Sequence, residues 1–325
     1  MQRRTLLQAG AGAAATLGLP SLRAQTLPSG PIRIVVGFPP GGGTDILARV
    51  LGQRLQVMWN TTVVIDNKAG AAGVLAADHV AKQAADGSTL LMAHINSHAI
   101  APALNPKLPY NAENDFAPIA LVGVTPNLLV CNDQQPARDL KALIALCKSR
   151  PGQVTFGSSG PASAQHLALE LFKFQAKVFA LHIPYRGSGP VITDLIGGQI
   201  QYGFETMTAA TPHVKSGKLI AVAQTRLARS GAFPQVPTVA ESGLPGFDAT
   251  TWYGLVGPAR MNAGLVKRIN EDVNKVIALP EVAERLASVG AEDSGGTPQR
   301  FADFMRSERD KYRVLVKEAG IRIES

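Results

Sequence analysis

Short apolar runs that suit buried strands alternate along this chain with stretches whose apolar residues recur every three to four positions. The run "IRIVVGF" is followed by "DILARVLGQRL", and "TTVVIDN" is followed by "GVLAADHVAKQ". This alternation is typical of βαβ units, which build a parallel sheet with helices on both faces. The pattern predicts an α/β fold.

The same pattern restarts in the second half of the chain. The segment "GQVTFGSSGPASAQHLALELFKF" again has a strand, a Gly/Ser loop and a helix, and the part from Asn262 is helical. Those last helices need a sheet to cover, and "TTWYGLVGPA" is a strand that returns the chain to the first unit. We predict two lobes, each a mostly parallel sheet flanked by helices: lobe 1 is residues 25–125 plus 255–325, and lobe 2 is residues 126–254.

The first 24 residues have the features of an export signal. Two arginines precede an apolar small-residue run, and "LRA" ends it as a cleavage site. The arginine pair before "TLL" resembles a twin-arginine signal, and an ordinary secretory signal is the alternative. No later apolar stretch approaches the roughly 20 residues that span a bilayer. We expect a soluble periplasmic protein after cleavage.

Charge and cysteine content exclude only a few classes of function. Three of the 32 basic residues lie in the signal, which leaves 29 against 24 acidic residues. The basic residues are scattered without interleaved aromatic residues, so no nucleic-acid partner is expected. Cys131 and Cys147 are compatible with a disulfide in an oxidising compartment or with two buried thiols, whereas a catalytic or metal role is disfavoured.

The glycine-rich stretch "VVGFPPGGGTDILARVLGQRL" lies between the first strand and the first helix. It has no lysine, so it is not a P-loop. Gly41 and Gly43 match the start of a dinucleotide-binding fingerprint, but Ile46 stands where the third glycine belongs. Asp66 lies at the distance of a ribose-binding acid, so a nucleotide site remains a weak alternative.

The second loop, "GSSGP", does not match a nucleophile elbow because proline occupies its last position. Ser163 and His166 share a helix face, and we favour a helix cap for Ser163 and a packed or hydrogen-bonded His166 over a catalytic pair. His94 and His98 lie four residues apart without a nearby acidic cluster, so no metal site is predicted.

Both loops suit the capture of an anion by backbone N–H groups at a helix start, and a carboxylate fits such a site as well as a phosphate. Thr44 and Asp45 are predicted caps of the first helix. Ser158, Ser159 and Ser163 add hydroxyl donors at the second. The two loops are expected to face each other across a cleft at the carboxyl ends of their strands.

The chain carries "PIRIVVGFPPGGGTD", "VVIDNKAGAAG", "FGSSGPASAQHLALELF", "IPYRGSGPVITDLIGGQI" and "PQVPTVAESGLPGFDATTWYGLVGPA" in this order. In these motifs it resembles the tripartite tricarboxylate transporter receptor family, the Bug or TctC-type proteins. The resemblance implies a two-lobed, type II-like periplasmic binding protein without catalysis or a cofactor. It also implies closure over a small organic carboxylate and delivery to a membrane permease.

Carried onto this sequence, the resemblance and the two loops give a set of candidate binding residues. The set is Phe38, Gly41, Gly42, Gly43, Thr44, Asp45, His94, Asn96, Ser158, Ser159, Gly160, Ser163, His166, Tyr185, Arg186, Gly187, Glu205 and Thr206. Arg186 is either the partner of a second carboxylate or a residue of the interlobe surface.

The sequence departs from the family pattern at two positions of interest. Glu205 stands where the family usually has aspartate, which leaves the second end of the ligand open, and Ala72 stands where glycine is common. A sensory receptor of the same fold is the alternative function, with a hydrolase or nucleotide-using enzyme less favoured. We expect a monomer.

Overall fold

The structure is a computed structural model that describes residues 26–318, so the predicted export signal lies outside the described residues. Strands and helices alternate through most of this range. In chain order the elements are β1 Ile32–Val36, α1 Gly43–Trp59, β2 Val63–Asn67, α2 Val74–Ala81, β3 Thr89–His94, a π-helical segment Asn96–Ile100, α3 Ala101–Leu104, β4 Phe116–Cys131, α4 Leu140–Ser149, β5 Thr155–Ser158, α5 Ala164–Ala176, β6 Leu181–Pro184, α6 Ser188–Ile196, β7 Tyr202–Thr206, α7 Met207–Lys215, β8 Ile220–Gln224, β9 Thr250–Pro258, α8 Ala263–Ile277, α9 Pro280–Ser288 and α10 Pro298–Glu318.

The strands form one continuous curled sheet in the order β2-β1-β3-β9-β4-β7-β5-β6, with β8 also paired to β4. Pairing is parallel between β1 and its neighbours β2 and β3, and between β5 and its neighbours β6 and β7. It is antiparallel wherever β4 or β9 takes part. The predicted parallel βαβ units therefore form the two outer parts of the sheet, and antiparallel strands join them.

The long strand β4 belongs to both parts. Its first portion, Phe116 to Pro126, pairs with β9, and its last portion, Asn127 to Cys131, pairs with β7 and β8. From Ile119 onward every residue of β4 is buried. The sheet thus has a first section, β2-β1-β3-β9-β4, and a second section, β4-β7-β5-β6 with β8.

Each section is covered by helices on both faces. Helices α1, α8 and α9 cover one face of the first section and α2 and α10 the other, while α4 and α5 cover one face of the second section and α6 and α7 the other. Leu47, Leu51 and Leu55 of α1 are at most 2% exposed, and burying each contributes about 1.5–3 kcal/mol. The predicted helix, with apolar residues every three to four positions, is confirmed.

Two elements of the fold have no clear sequence signal. Helix α7 contains Pro212 and the two threonines Thr208 and Thr211, which are poor helix formers. Its buried first half is held by packing on the second section. The π-helical segment Asn96–Ile100 continues directly from the end of β3 and is wholly buried. Tertiary contacts decide the structure of both segments.

Cys131 and Cys147 are both free and buried within the described structure. Burial raises the pKa of each thiol to about 11. The sequence left open a disulfide or two buried thiols, and the structure has two buried thiols. Across residues 26–318, no helix combines the length and the apolar content needed to cross a bilayer.

Candidate functional site

The glycine loop ends in an uncapped helix start. Gly42 is the N-cap residue of α1, with an extended backbone, and no side chain caps the helix. The expectation that Thr44 and Asp45 act as caps was wrong, because both lie inside the first turn. None of the N–H groups of Gly43, Thr44 and Asp45 has an acceptor among the described residues. Three donors at the positive end of a 17-residue helix are therefore free for an anion.

Asp45 lies outside the cavity lining, and its side chain stabilises the glycine loop. Its carboxylate accepts hydrogen bonds from the backbone of Gly41 at 3.0 Å, from Arg49 at 2.9 Å and from the amide of Asn67 at 3.0 Å. Burial on its own raises the pKa of Asp45, but these hydrogen bonds outweigh it and leave the pKa below its usual value. The loop is thus preorganised by a buried carboxylate with three hydrogen-bond donors around it.

A small cavity lies where the first loop meets the second section. Its volume is about 20 Å³, room for one or two water-sized groups such as a carboxyl. Its walls come from both sections of the sheet and carry hydroxyl, amide and aromatic groups. The lining residues are Phe38, Gly42, Gly43, Thr44, His94, Ser159, Gln165, Ser188, Thr206 and Tyr253.

Gly43 brings the two sections into close contact. A Cβ atom built on Gly43 would lie 2.3 Å from the hydroxyl oxygen of Tyr253 on β9 and 2.9 Å from Oγ1 of Thr206 at the end of β7. Only a residue without a side chain allows this approach. Burial raises the pKa of Tyr253 to about 12, so its hydroxyl stays a neutral donor.

His94 is a neutral donor in the cavity wall. Its Nδ1 accepts the N–H of Asn96 at 3.2 Å, which places the ring proton on Nε2, 2.8 Å from Oγ1 of Thr251. Burial lowers the pKa of His94 to about 3. Its ring packs against Phe38 and Tyr253, at centroid distances of 4.9 and 5.1 Å.

The second loop is already tied to the first section. Oδ1 of Asn96 accepts the first N–H of α5, that of Ala164, at 2.9 Å, and Ser163 caps the same helix by accepting the N–H of His166. Ser159 lines the cavity and donates to Oε1 of Gln165 at 2.8 Å. This loop therefore presents side-chain groups to the cavity, and the start of α5 is largely satisfied within the protein.

Ser158 and His166 lie away from the cavity. Ser158 is fully buried, with Oγ 2.6 Å from Nε2 of His182, and it also contacts Gly160 in the same loop. His166 accepts the N–H of Ala162 and stacks on His182 at a centroid distance of 4.1 Å. The structural interpretation of Ser163 and His166 is confirmed, and the buried Ser158 presents no accessible nucleophile.

At the cavity mouth the first loop contacts the start of α6. Gly187, with φ +120°, lies so close to Pro39 that a Cβ atom on it would be 2.9 Å from Cδ of the proline. Tyr185 donates to Asp194 within the second section at 2.7 Å, and Arg186 is exposed. None of Tyr185, Arg186 and Gly187 lines the cavity.

Two further helix starts lie at the cavity. Ser188, the first residue of α6, lines it, and the N–H groups of Ser188 and Gly189 have no acceptor among residues 26–318. Thr206 lines it as the N-cap of α7. Between these helix starts lies Glu205, which is fully buried with both carboxyl oxygens lacking a hydrogen-bond partner in the described structure.

The cavity thus unites part of the predicted set with residues that the sequence did not indicate. Of the predicted residues, Phe38, Gly42, Gly43, Thr44, His94, Ser159 and Thr206 line it. The predicted residues outside the lining are Gly41, Asp45, Asn96, Ser158, Gly160, Ser163, His166, Tyr185, Arg186, Gly187 and Glu205. The missed residues are Gln165, Ser188 and Tyr253. The sequence signals nearest to them are the strand-like "TTWYGLVGPA", which contains Tyr253, and the glycines on either side of Ser188.

Metal ligation has no support in the described part of the chain. No group of three or more His, Cys, Asp or Glu side chains is arranged to hold an ion there. His94 and His98 are both buried neutral rings with pKa lowered by burial to about 3.

Comparison with known proteins agrees with this architecture. Residues 47–321 match the profile of the tripartite tricarboxylate transporter family receptor. Protein BugT of Bordetella pertussis is 38% identical over 312 residues, which cover 95% of this chain and 96% of BugT.

Two solved structures share the fold closely. Rpa4515 of R. palustris with adipate is 31% identical, with a TM-score of 0.88 over 91% of this chain and 99% of that one. MatC from Rhodopseudomonas palustris with bound malate is 31% identical, with a TM-score of 0.83 over 89% of this chain and 100% of that one. The family consists of periplasmic solute-binding receptors and is not an enzyme family. This two-lobed α/β chain, with its uncapped helix start at a cavity between two sheet sections, belongs to the tripartite tricarboxylate transporter receptor family.

Proposed function

We propose that this receptor captures a small organic carboxylate between its two lobes and delivers it to a membrane permease. The observation that carries the proposal is the start of α1, where the N–H groups of Gly43, Thr44 and Asp45 have no acceptor within residues 26–318. Gly43 and Thr44 line the cavity, so these donors are available to a carboxylate there. The adipate and malate in two related structures are ligands of this chemistry.

The lobes of the proposal are those expected from the sequence, residues 25–125 plus 255–325 and residues 126–254. Contacts of Gly43 with Thr206 and of Pro39 with Gly187 join loops from both lobes. A ligand completes its hydrogen bonds only when these loops meet, so it binds the closed form more tightly than the open form. This difference in affinity sets how far the ligand shifts the equilibrium toward the closed form. A permease then recognises the closed surface.

The remaining candidate residues act around this contact. Phe38, His94, Ser159 and Thr206 line the ligand space, while Asp45, Asn96 and Ser163 position the two loops. We further propose that the protein works as a monomer in the periplasm after loss of residues 1–24. A sensory partner in place of the permease is the alternative supported by the same geometry.

Thermal unfolding of residues 25–325 against a panel of carboxylates tests the proposal. Adipate, malate, citrate and benzoate are compared with the matching amides. A ligand at about 100 times its dissociation constant stabilises by roughly 2.7 kcal/mol, which raises the midpoint by several degrees. We expect a shift with an acid and none with its amide. Equal shifts with acid and amide, or no shift with any acid in a preparation free of bound ligand, contradict the proposal.

The partner is tested separately. Ligand-loaded protein is captured on membranes that contain the permease subunits and on membranes that lack them. Retention that needs both the permease and the ligand supports delivery, whereas retention by a signalling protein in membranes without the permease supports the sensory alternative.

A further inference from the structure

Glu205 is a buried carboxyl group directly behind the cavity wall. It is fully buried at the end of β7, and neither Oε1 nor Oε2 has a hydrogen-bond partner among the described residues. The side chains of Ser188 and Gln165, which line the cavity, and the backbone of Thr206 face this carboxyl as distant donors, and each lowers its pKa. An unpaired buried carboxyl is costly, and protein sites that keep one commonly use it.

Within residues 26–318, no cationic side chain pairs with this carboxyl. The cavity lining contains no lysine or arginine, and Arg186, the cationic residue of the predicted set, is exposed and outside the lining. A second carboxylate of a ligand would therefore meet hydroxyl and amide groups and the side chain of Glu205. Two ionised carboxylates in contact inside a closed, poorly solvated site repel each other strongly.

Glu205 is the group at the cavity whose charge changes near neutral pH. The other titratable groups at the cavity, His94 and Tyr253, stay neutral there. Burial lowers the pKa of His94 on β3 to about 3 and raises that of Tyr253 on β9 to about 12. On α6, Asp194 accepts from Tyr185. On α5, His166 lies within 3.5 Å of Glu170, which Lys173 also contacts, and His182 on β6 stacks on His166.

We propose that Glu205 selects dicarboxylates by binding their second carboxylate as a neutral acid, so that the cleft closes over the ligand together with one proton. This inference rests on the proposed function, in which the first carboxylate occupies the start of α1. The proton comes from solvent and stays on one Glu205 oxygen, from which it is donated to the ligand; no covalent bond is made or broken. An O–H donor to a carboxylate gives a short, charge-assisted hydrogen bond.

The ionisation of Glu205 agrees with this arrangement. Burial raises its pKa to about 8, against the smaller opposing influence of Ser188, Thr206 and Gln165. A carboxyl in that state is neutral at pH 7 and offers one donor and remaining acceptor capacity. An open cleft that admits water to Glu205 favours ionisation, so closure over a dianion takes up a proton.

Calorimetric titration with adipate and malate, in buffers of different ionisation enthalpy at pH 7 to 9, tests the inference. We expect uptake of up to one proton per ligand, and an affinity that falls by up to about tenfold per pH unit in the upper part of this range. The monomethyl ester of each acid, which lacks the second charge, should show neither effect.

Two variants distinguish a proton donor from a packed side chain. Glu205→Gln keeps an N–H donor of the same shape, so it should bind the dicarboxylates with no proton uptake and little pH dependence. Glu205→Leu removes the donor and should lose at least about tenfold in dicarboxylate affinity. Glu308→Gln is the matched control, because Glu308 is a buried carboxyl with a raised pKa on α10, away from the cavity; it should keep the wild-type pH dependence.

Each other outcome overturns the inference. Dicarboxylate binding without proton uptake shows that Glu205 is ionised or does not take part, while the proposed carboxylate receptor stands. Tighter binding of the monoamide than of the diacid, lost in Glu205→Gln, shows that Glu205 is ionised and accepts a hydrogen bond from the neutral amide end of the ligand. Failure of the wild type to bind any mono- or dicarboxylate overturns both the inference and the proposed function.

Discussion

Gly43 and Tyr253 lie so close that a Cβ atom on the glycine would be 2.3 Å from the tyrosine hydroxyl oxygen. Tyr253 is fully buried between His94 and the first loop, so its ring has little room to move away. We predict that Gly43→Ala lowers carboxylate affinity by tenfold or more, because the added methyl group keeps the start of α1 from its closed position. Calorimetric titration measures the loss.

Gly231→Ala is the matched control for Gly43→Ala. Gly231 is exposed and lies outside the cavity lining, and a Cβ atom on it would meet no atom within 4 Å. Near-normal affinity in Gly231→Ala with strong loss in Gly43→Ala supports the close contact. Equal affinity of the two variants argues against it.

Asp45→Asn should destabilise the protein by about 1–3 kcal/mol, because Arg49 loses its carboxylate partner and the loop loses a charged acceptor. Hydrogen bonds hold the pKa of Asp45 below 3.8, so this contribution is complete above that pH and is lost as pH falls through the lowered value. Urea unfolding at pH 7 and at pH 3 measures it. In Asp66→Asn we expect less than about 0.5 kcal/mol, because the Asp66 side chain is 26% exposed whereas that of Asp45 is 4% exposed.

Ala72 has left-handed backbone angles, φ 53° and ψ 35°, in the short helical turn Ala71–Gly73. Such angles cost a residue with a Cβ atom about 1–2 kcal/mol, and glycine avoids this cost. Part of the gain is lost because glycine gives the unfolded chain more conformational freedom. Ala72→Gly should therefore stabilise the protein by up to about 1 kcal/mol in urea unfolding. Ala283→Gly, at an exposed position inside α9, should instead cost about 1 kcal/mol; the same sign for both would refute the strain argument.

The stability of the protein should fall in mild acid because His94 and His98 are buried as neutral rings. Burial lowers the pKa of each to about 3, whereas the unfolded chain takes up the proton near pH 6.5. The contribution of each neutral ring to the free energy of unfolding is complete above pH 6.5. Below that pH it declines by up to about 1.4 kcal/mol per pH unit. Urea unfolding from pH 7 to pH 4.5 should show a shallower decline in His98→Gln. An unchanged slope would contradict the neutral ring.

Cys131 and Cys147 should resist iodoacetamide in the native protein, because both thiols are buried and burial raises the pKa of each to about 11. Unfolding in denaturant without a reductant should allow two additions per chain, measured by intact mass. A protein that gains no label until it is reduced would contain a disulfide instead.

The predictable part of the site is the part encoded in one continuous stretch. Gly42, Gly43 and Thr44 stand together before an amphipathic pattern, so their placement at a helix start followed from the sequence. Ser159 stands in a second loop between a strand and a helix, which the sequence also indicated. The helix cap of the first loop was still misassigned, because the choice between Gly42 and Thr44 depends on one turn of backbone.

The missed residues depend on contacts between distant segments. Gln165, Ser188 and Tyr253 lie on three elements, and only their convergence on Phe38 and Thr44 reveals them. Helix α7 was missed for a related reason: its threonines and Pro212 disfavour a helix locally, and burial against β4 and β7 compensates. The βαβ order of the outer strands was predictable because hydrophobic periodicity alone determines it.

The strand β4 has a consequence for how the protein folds and unfolds. Because its 16 residues pair with β9 in the first section and with β7 and β8 in the second, neither section can complete its sheet without the same segment. Most of its partners are more than 70 positions away along the chain, so loop-closure entropy opposes early formation of these pairs. Both sections should therefore lose structure in a single cooperative transition, and a fragment that ends before residue 250 should lack a stable native state.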